Sequence, residues 1–161
     1  MANNLFMKIR KIQQKDNQAV GEIVQTVLME MGAPKVGTAY ADPFLFNLFE
    51  VYQEPKSVYY VIENDDIIIG GSGIGPLEGD VCELQKMYFL PEARGLGLGS
   101  KLMEICLADA KSFGYSGCYL ETMPYMIDAQ KLYKKVGFIN IDAPMGSTGH
   151  TSCPVWMLKK L

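Results

Sequence analysis

The segment from Val81 to Gly114 constrains the chain most. VCELQKMYFL reads as a strand, LPEARGLGLG packs three glycines into five positions, and GSKLMEICLADAKSFG has helical spacing, with Leu102, Ile105, Cys106 and Phe113 toward a core. A strand that passes through a glycine loop into a helix is an anion-binding arrangement. The glycines remove Cβ atoms, and the free N–H groups of the first helical turn face the loop. A dinucleotide fingerprint needs G-x-G-x-x-G, but after Gly97 and Gly99 the third position holds Leu102, and no room for a doubly wound domain follows. A P-loop needs Lys and then Ser or Thr after its last glycine; here Gly99 is followed by Ser100 and then Lys101, the wrong order. What remains is R-x-x-G-x-G, Arg94 to Gly99, a pattern that close strand–helix packing also produces.

The rest of the chain supplies the context. LFMKIRKIQ alternates as a first strand, and Asp16 to Met31 carries Val20, Ile23, Val24, Val27 and Leu28 at helical spacing before Gly32 and Pro34. VGTAYADP is loop, and PFLFNLFEVYQ is a short aromatic-rich helix starting at Pro43. SVYYVIEN and DDIIIGGSGI are strands joined by a tight turn at Asn64 to Asp66. After the glycine loop and its helix come strand GCYLET, helix PYMIDAQKLYKKVG from Pro124 to Gly137, and final strands FINID and CPVWMLKK. With no repeat, low-complexity segment or linker in 161 residues, a single domain spanning 1–161 is expected.

Composition excludes several classes. Hydrophobic residues at 48% and charged residues at 20% suit a globular chain, and no apolar run is long enough to span a bilayer. A net charge of −3 gives no footprint for nucleic acid. Lys8, Arg10 and Lys11 interrupt what would be a signal peptide's apolar region, so a cytoplasmic location is expected. Cys82, Cys106, Cys118 and Cys153 form no C-x-x-C pair and read as small apolar residues, with no metal site expected.

The run ELQKMYFLPEARGLGLGSKLM, followed some 20 residues later by YLET and then by AQKLYKKVGF, resembles the GNAT superfamily of N-acetyltransferases in the order and spacing of both central motifs. The resemblance implies an α+β fold: a six- to seven-stranded, mixed, mostly antiparallel sheet, splayed at its central strands and flanked by about four helices. It implies acetyl-coenzyme A as cosubstrate, its pyrophosphate held by the amides of Gly95, Leu96, Gly97, Leu98, Gly99 and Ser100, with Arg94 bracing the loop or facing a phosphate. Met87, Tyr88 and Phe89 match the bulged strand that pairs with the pantetheine arm. A homodimer is common among similar proteins. Relatives often carry Asn where this chain has Met126, which removes one polar contact to that arm.

Moving acetyl from a thioester to an amine needs a neutral amine, a stabilised oxyanion and a proton for the leaving thiolate. An amine with a pKa of ~10.4 costs about 4.6 kcal/mol to neutralise at pH 7, so a base is wanted. Glu83 stands where some family members place a catalytic carboxylate, and strand alternation would put Glu83, Gln85 and Met87 on one face; the alternative is a strand-end charge. Tyr133 matches the family's helix tyrosine, which serves as acid for the thiolate; the alternative is a core tyrosine. The resemblance also implies a bulge amide near Met87 as the oxyanion donor.

Other features weigh less. His150 is the sole histidine and reads as a loop or substrate-pocket residue. IIIGGSGIG fails the G-x-S-x-G pattern and reads as a strand whose glycines permit bending or close approach. Phe44, Phe46, Phe49, Tyr52, Tyr59 and Tyr60 read as core, while Tyr40 and Asp42 fall where the family builds its acceptor pocket, and Asp42 could attract a cationic amine. The acceptor is expected to be a small-molecule or peptide amine. The rival reading is a non-catalytic acyl-coenzyme A binding or regulatory domain.

Overall fold

The computed structural model describes residues 7–161; Leu5 and Phe6 of the expected first strand lie outside them. Strands β1 (Met7–Lys11), β2 (Val58–Asn64), β3 (Ile67–Glu78), β4 (Val81–Phe89), β5 (Gly117–Thr122), β6 (Ile139–Asn140) and β7 (Val155–Lys160) form one sheet in the order β1-β2-β3-β4-β5-β7-β6. Neighbours are antiparallel except β4 and β5, which run parallel. The helices are α1 (Asn17–Glu30), α2 (Leu48–Val51), α3 (Leu98–Ser112) and α4 (Ile127–Val136).

The expected helix from Pro43 is shorter: residues 43–46 turn, and only Leu48–Val51 is helical. The last helix likewise begins at Ile127 rather than at Pro124, after a turn. FINID shrinks to the two residues of β6. The β2–β3 turn uses Asp65 and Asp66, both left-handed (φ 50° and 64°), the conformation that matches strand twist in a two-residue hairpin.

Period-two alternation divides the core. Tyr59 and Val61 of β2 join Val20, Val24, Val27 and Leu28 of α1 on one face. On the other, Leu84 and Cys82 of β4 meet Met103, Cys106 and Leu107 of α3 and Tyr133 of α4. Three cysteines, Cys82, Cys106 and Cys118, are buried as free thiols and Cys153 is half-buried. Phe44 departs from the sequence reading: it is 61% exposed on the turn before α2.

Candidate active site

The site is made by two irregularities in β4. The first is a bulge. Gly73 lies opposite Gln85 and Gly71 opposite Tyr88, so Lys86 and Met87 together oppose the single residue Ser72, and Lys86 takes a left-handed φ of 49°. The extra residue inverts the alternation. Gln85 and Tyr88 lie on the α1 side with Glu83, while Met87 packs toward α3 and α4. The expectation that Glu83, Gln85 and Met87 share a face is thereby corrected. The second irregularity is splay. β4 pairs with β5 only from Val81 to Glu83, and beyond Glu83 the strands part around a cavity of about 600 Å³.

The glycine loop closes one end of this cavity. Gly95 and Gly97 are left-handed (φ 73° and 76°), a conformation that side chains with a Cβ resist. Gly97 caps α3, whose first helical bond runs from the Lys101 N–H to the Gly97 carbonyl, so the amides just before Lys101 have no helical acceptor. Gly99 serves close approach: a Cβ there would lie 3.0 Å from Leu132. Gly95, Gly97, Leu98, Gly99, Ser100 and Arg94 line the cavity with Met87, Tyr88 and Phe89. Leu96 lies outside that lining, with its side chain 36% exposed. Arg94 grips the loop from behind: its Nε and one guanidinium nitrogen donate to the Phe89 carbonyl at 3.0 and 2.8 Å, and its other nitrogen pairs with Glu30 at 2.6 Å. Free amides at a helix N-terminus, beside a strand edge without a partner, fit a pyrophosphate and an amide-bearing arm.

Tyr133 reaches the cavity from α4, which Gly137 ends at φ 111°. Burial pushes its hydroxyl up to about 12, with no neighbouring charge or hydrogen bond contributing. Met126 caps the same helix, its sulfur 3.6 Å from the Thr122 hydroxyl.

Glu83 sits across the cavity, 4% exposed. Its Oε1 accepts from the Gln85 amide at 2.7 Å, and the Tyr52 hydroxyl donates to the Gln85 Oε1 at 2.6 Å. Burial pushes Glu83 up to about 7; the Glu121 charge adds to this, while the Gln85 hydrogen bond and Lys86 oppose it. The sequence reading missed Glu121, which β5 aims at the same point. Its oxygens accept from Tyr119 at 2.7 Å and Thr148 at 2.8 Å, and His150 Nδ1 stands 3.8 Å away. One signal was available: a carboxylate in YLET, inside a strand otherwise apolar or aromatic up to its final Thr122. Burial, and then the Lys86 charge, hold His150 below its ordinary pKa against the pull of Glu121 and Asp42. Lys86 itself is ion-paired to Asp42 at 2.7 Å.

Ligand atoms of Glu83, Glu121 and His150 lie within 4.8 Å of one another. Three of the four carboxylate oxygens accept hydrogen bonds from Gln85, Tyr119 and Thr148, which fix how the two carboxylates face each other.

The sequence pattern of the Acetyltransferase (GNAT) family matches residues 25–138. The chain is 42% identical over 157 residues to a protein of Escherichia coli (strain K12) named uncharacterized N-acetyltransferase YjgM, covering 95% of this chain and 94% of that one. Its fold superposes on a GNAT-family acetyltransferase from Staphylococcus aureus Mu50 with a TM-score of 0.86 at 22% identity, over 96% of this chain and 98% of the other. It also superposes on the PaiA N-acetyltransferase of Thermoplasma acidophilum, solved with coenzyme A, with a TM-score of 0.73 at 18% identity, over 96% and 99%. The chain belongs to the GNAT family and is an acetyl-coenzyme A-dependent acetyltransferase.

Proposed function

We propose that the acceptor is a primary amine, on a small molecule or a peptide, and that acetyl passes to it directly in a ternary complex. The observation that carries this reading is that one cavity, opened by the splay of β4 from β5, is lined by the glycine loop, Tyr133 and Glu83 together.

In this reading Gly95 to Ser100 hold the pyrophosphate through their amides, and Arg94 keeps the loop in shape. Glu83, near half-ionised at neutral pH, takes a proton from the incoming ammonium directly or through water, leaving a neutral nucleophile. Glu121 and His150 pass that proton toward solvent. The Met87 N–H binds the oxygen of the attacked carbonyl as negative charge grows on it.

Tyr133 donates a hydrogen bond to the departing sulfur. At about 12 its hydroxyl is a weaker acid than a thiol of pKa ~8.5, so the phenol does not stay ionised. The proton it lends is replaced from the acetylated nitrogen, and the products are amide, thiol and one released proton. No metal has a part in these steps. A cytoplasmic location and a homodimer complete the reading, on sequence composition and family resemblance; among the described residues no helix is long and apolar enough to cross a membrane.

The test is free-thiol release from acetyl-coenzyme A across a panel of amines, polyamines, amino acids, aminoglycosides and peptides, with acetylated product identified by mass. At least one amine should give stoichiometric thiol and amide, with initial-rate lines that intersect. Tight cofactor binding with no thiol release from any amine of the panel would overturn the primary-amine acceptor.

A further inference from the structure

Tyr59 on β2 is 1% exposed, and its ring lies across β3 at two positions that carry no Cβ. A Cβ on Gly71 would stand 2.7 Å from the ring and 2.9 Å from the hydroxyl, and one on Gly73 would stand 2.7 Å from the ring. The glycines of IIIGGSGIG thus let a side chain cross the neighbouring strand. Its hydroxyl arrives at β4 and donates to the Lys86 carbonyl at 2.8 Å.

That carbonyl belongs to the bulge. The Lys86 C=O and the Met87 N–H share one planar trans peptide and point in opposite directions. Tyr59 takes the carbonyl on the α1 side of the sheet. Because Tyr59 reaches the carbonyl from across β3, the opposed Met87 N–H is turned away from β3, toward the edge of β4 that β5 leaves unpaired beyond Glu83. A left-handed Lys86 is a conformation that needs such an external hold.

We propose that Tyr59 is a positioning residue for acetyl transfer: its hydroxyl fixes the bulge peptide so that the Met87 N–H aims at the acetyl carbonyl oxygen. The inference rests on the acetyltransferase reading with Met87 as oxyanion donor. Tyr59 touches neither substrate and acts only through that peptide.

The test reads the carbonyl itself. Infrared spectra of carbonyl-¹³C-labelled acetyl-coenzyme A are recorded free, bound to the wild-type protein and bound to Tyr59→Phe. A matched control is Tyr115→Phe, which loses a 2.9 Å hydrogen bond to the carbonyl of another left-handed residue, Lys56, outside the cavity lining. In the wild type the bound band should lie below that of the free cosubstrate. In Tyr59→Phe it should return toward the free position, with kcat lowered about tenfold and KM for acetyl-coenzyme A changed less than about twofold. Tyr115→Phe should leave band and kcat unmoved. Should Tyr59→Phe fail to fold, Tyr59→Trp, which keeps a large ring over Gly71 and Gly73 but carries no phenol hydroxyl to reach the Lys86 carbonyl, should move the band in the same direction, and a band that stays in place there overturns the role equally. A band that stays in place in Tyr59→Phe, or moves equally in Tyr115→Phe, overturns the role of Tyr59. A wild-type band that matches the free one while amines are still acetylated overturns the Met87 donor instead.

Discussion

Glu83 meets opposing demands: it is buried deeply enough to resist ionisation, yet it has to ionise to serve as a base. Burial and the Glu121 charge hold it up near 7, and the Gln85 hydrogen bond and Lys86 limit the rise. Because Glu121 pushes the pKa up, Glu121→Gln should lower it. The rising limb of kcat/KM against pH should then move to lower pH by about half a unit. Tyr133→Phe should lower kcat at least about tenfold while coenzyme A affinity, measured by titration calorimetry, stays nearly unchanged; unaltered turnover would remove the donor role. That Glu83 and Tyr133 lie at one cavity was legible because each sits at a fixed offset within a motif. Glu121 was not, since its partners Thr148 and His150 come from a loop far along the chain and only the folded sheet brings them to β5.

At the level of elements, the start of α3 depends on a left-handed cap. Gly97→Ala should cost about 1 kcal/mol, because a Cβ clashes with the following carbonyl in that conformation. Thermal melting should fall by about 2–4 °C, and coenzyme A should bind more weakly as the amides turn. Gly95, Gly97 and Gly99 made this loop readable from sequence. The bulge one element earlier left no comparable mark: it is centred on Lys86 and Met87, neither of them glycine, so strict alternation placed Met87 on the wrong face. The clue lay on the neighbouring strand, where Gly71 and Gly73 leave room for Tyr59, and it becomes meaningful only once β2, β3 and β4 are aligned. Proline marked the regions of α2 and α4 but not their first residues, because Pro43 and Pro124 belong to preceding turns.

For the whole molecule, the cavity exists because β4 and β5, the one parallel pair of the sheet, part beyond Glu83. Pairing between β4 and β5 ends at Glu83, so beyond it β4 keeps a ladder only with β3 and β5 only with β7. A cosubstrate that fills this split binds the folded state alone. Coenzyme A at about 100 times its Kd should add about 2.7 kcal/mol of stability, visible as a rise of about 5–10 °C in the melting temperature of a chain this size. The family motifs implied such a splay, but strand order and the point of divergence depend on contacts distant in sequence. On the proposed function, this split holds a base able to neutralise the amine. That role is tested most directly by kcat/KM for an acetylated amine from about pH 6 to about pH 8, in the wild type and in Glu83→Gln. The wild type should rise through a limb near 7, and the variant should be slow and flat across that range. An unchanged limb and rate in Glu83→Gln would show that Glu83 is not the base.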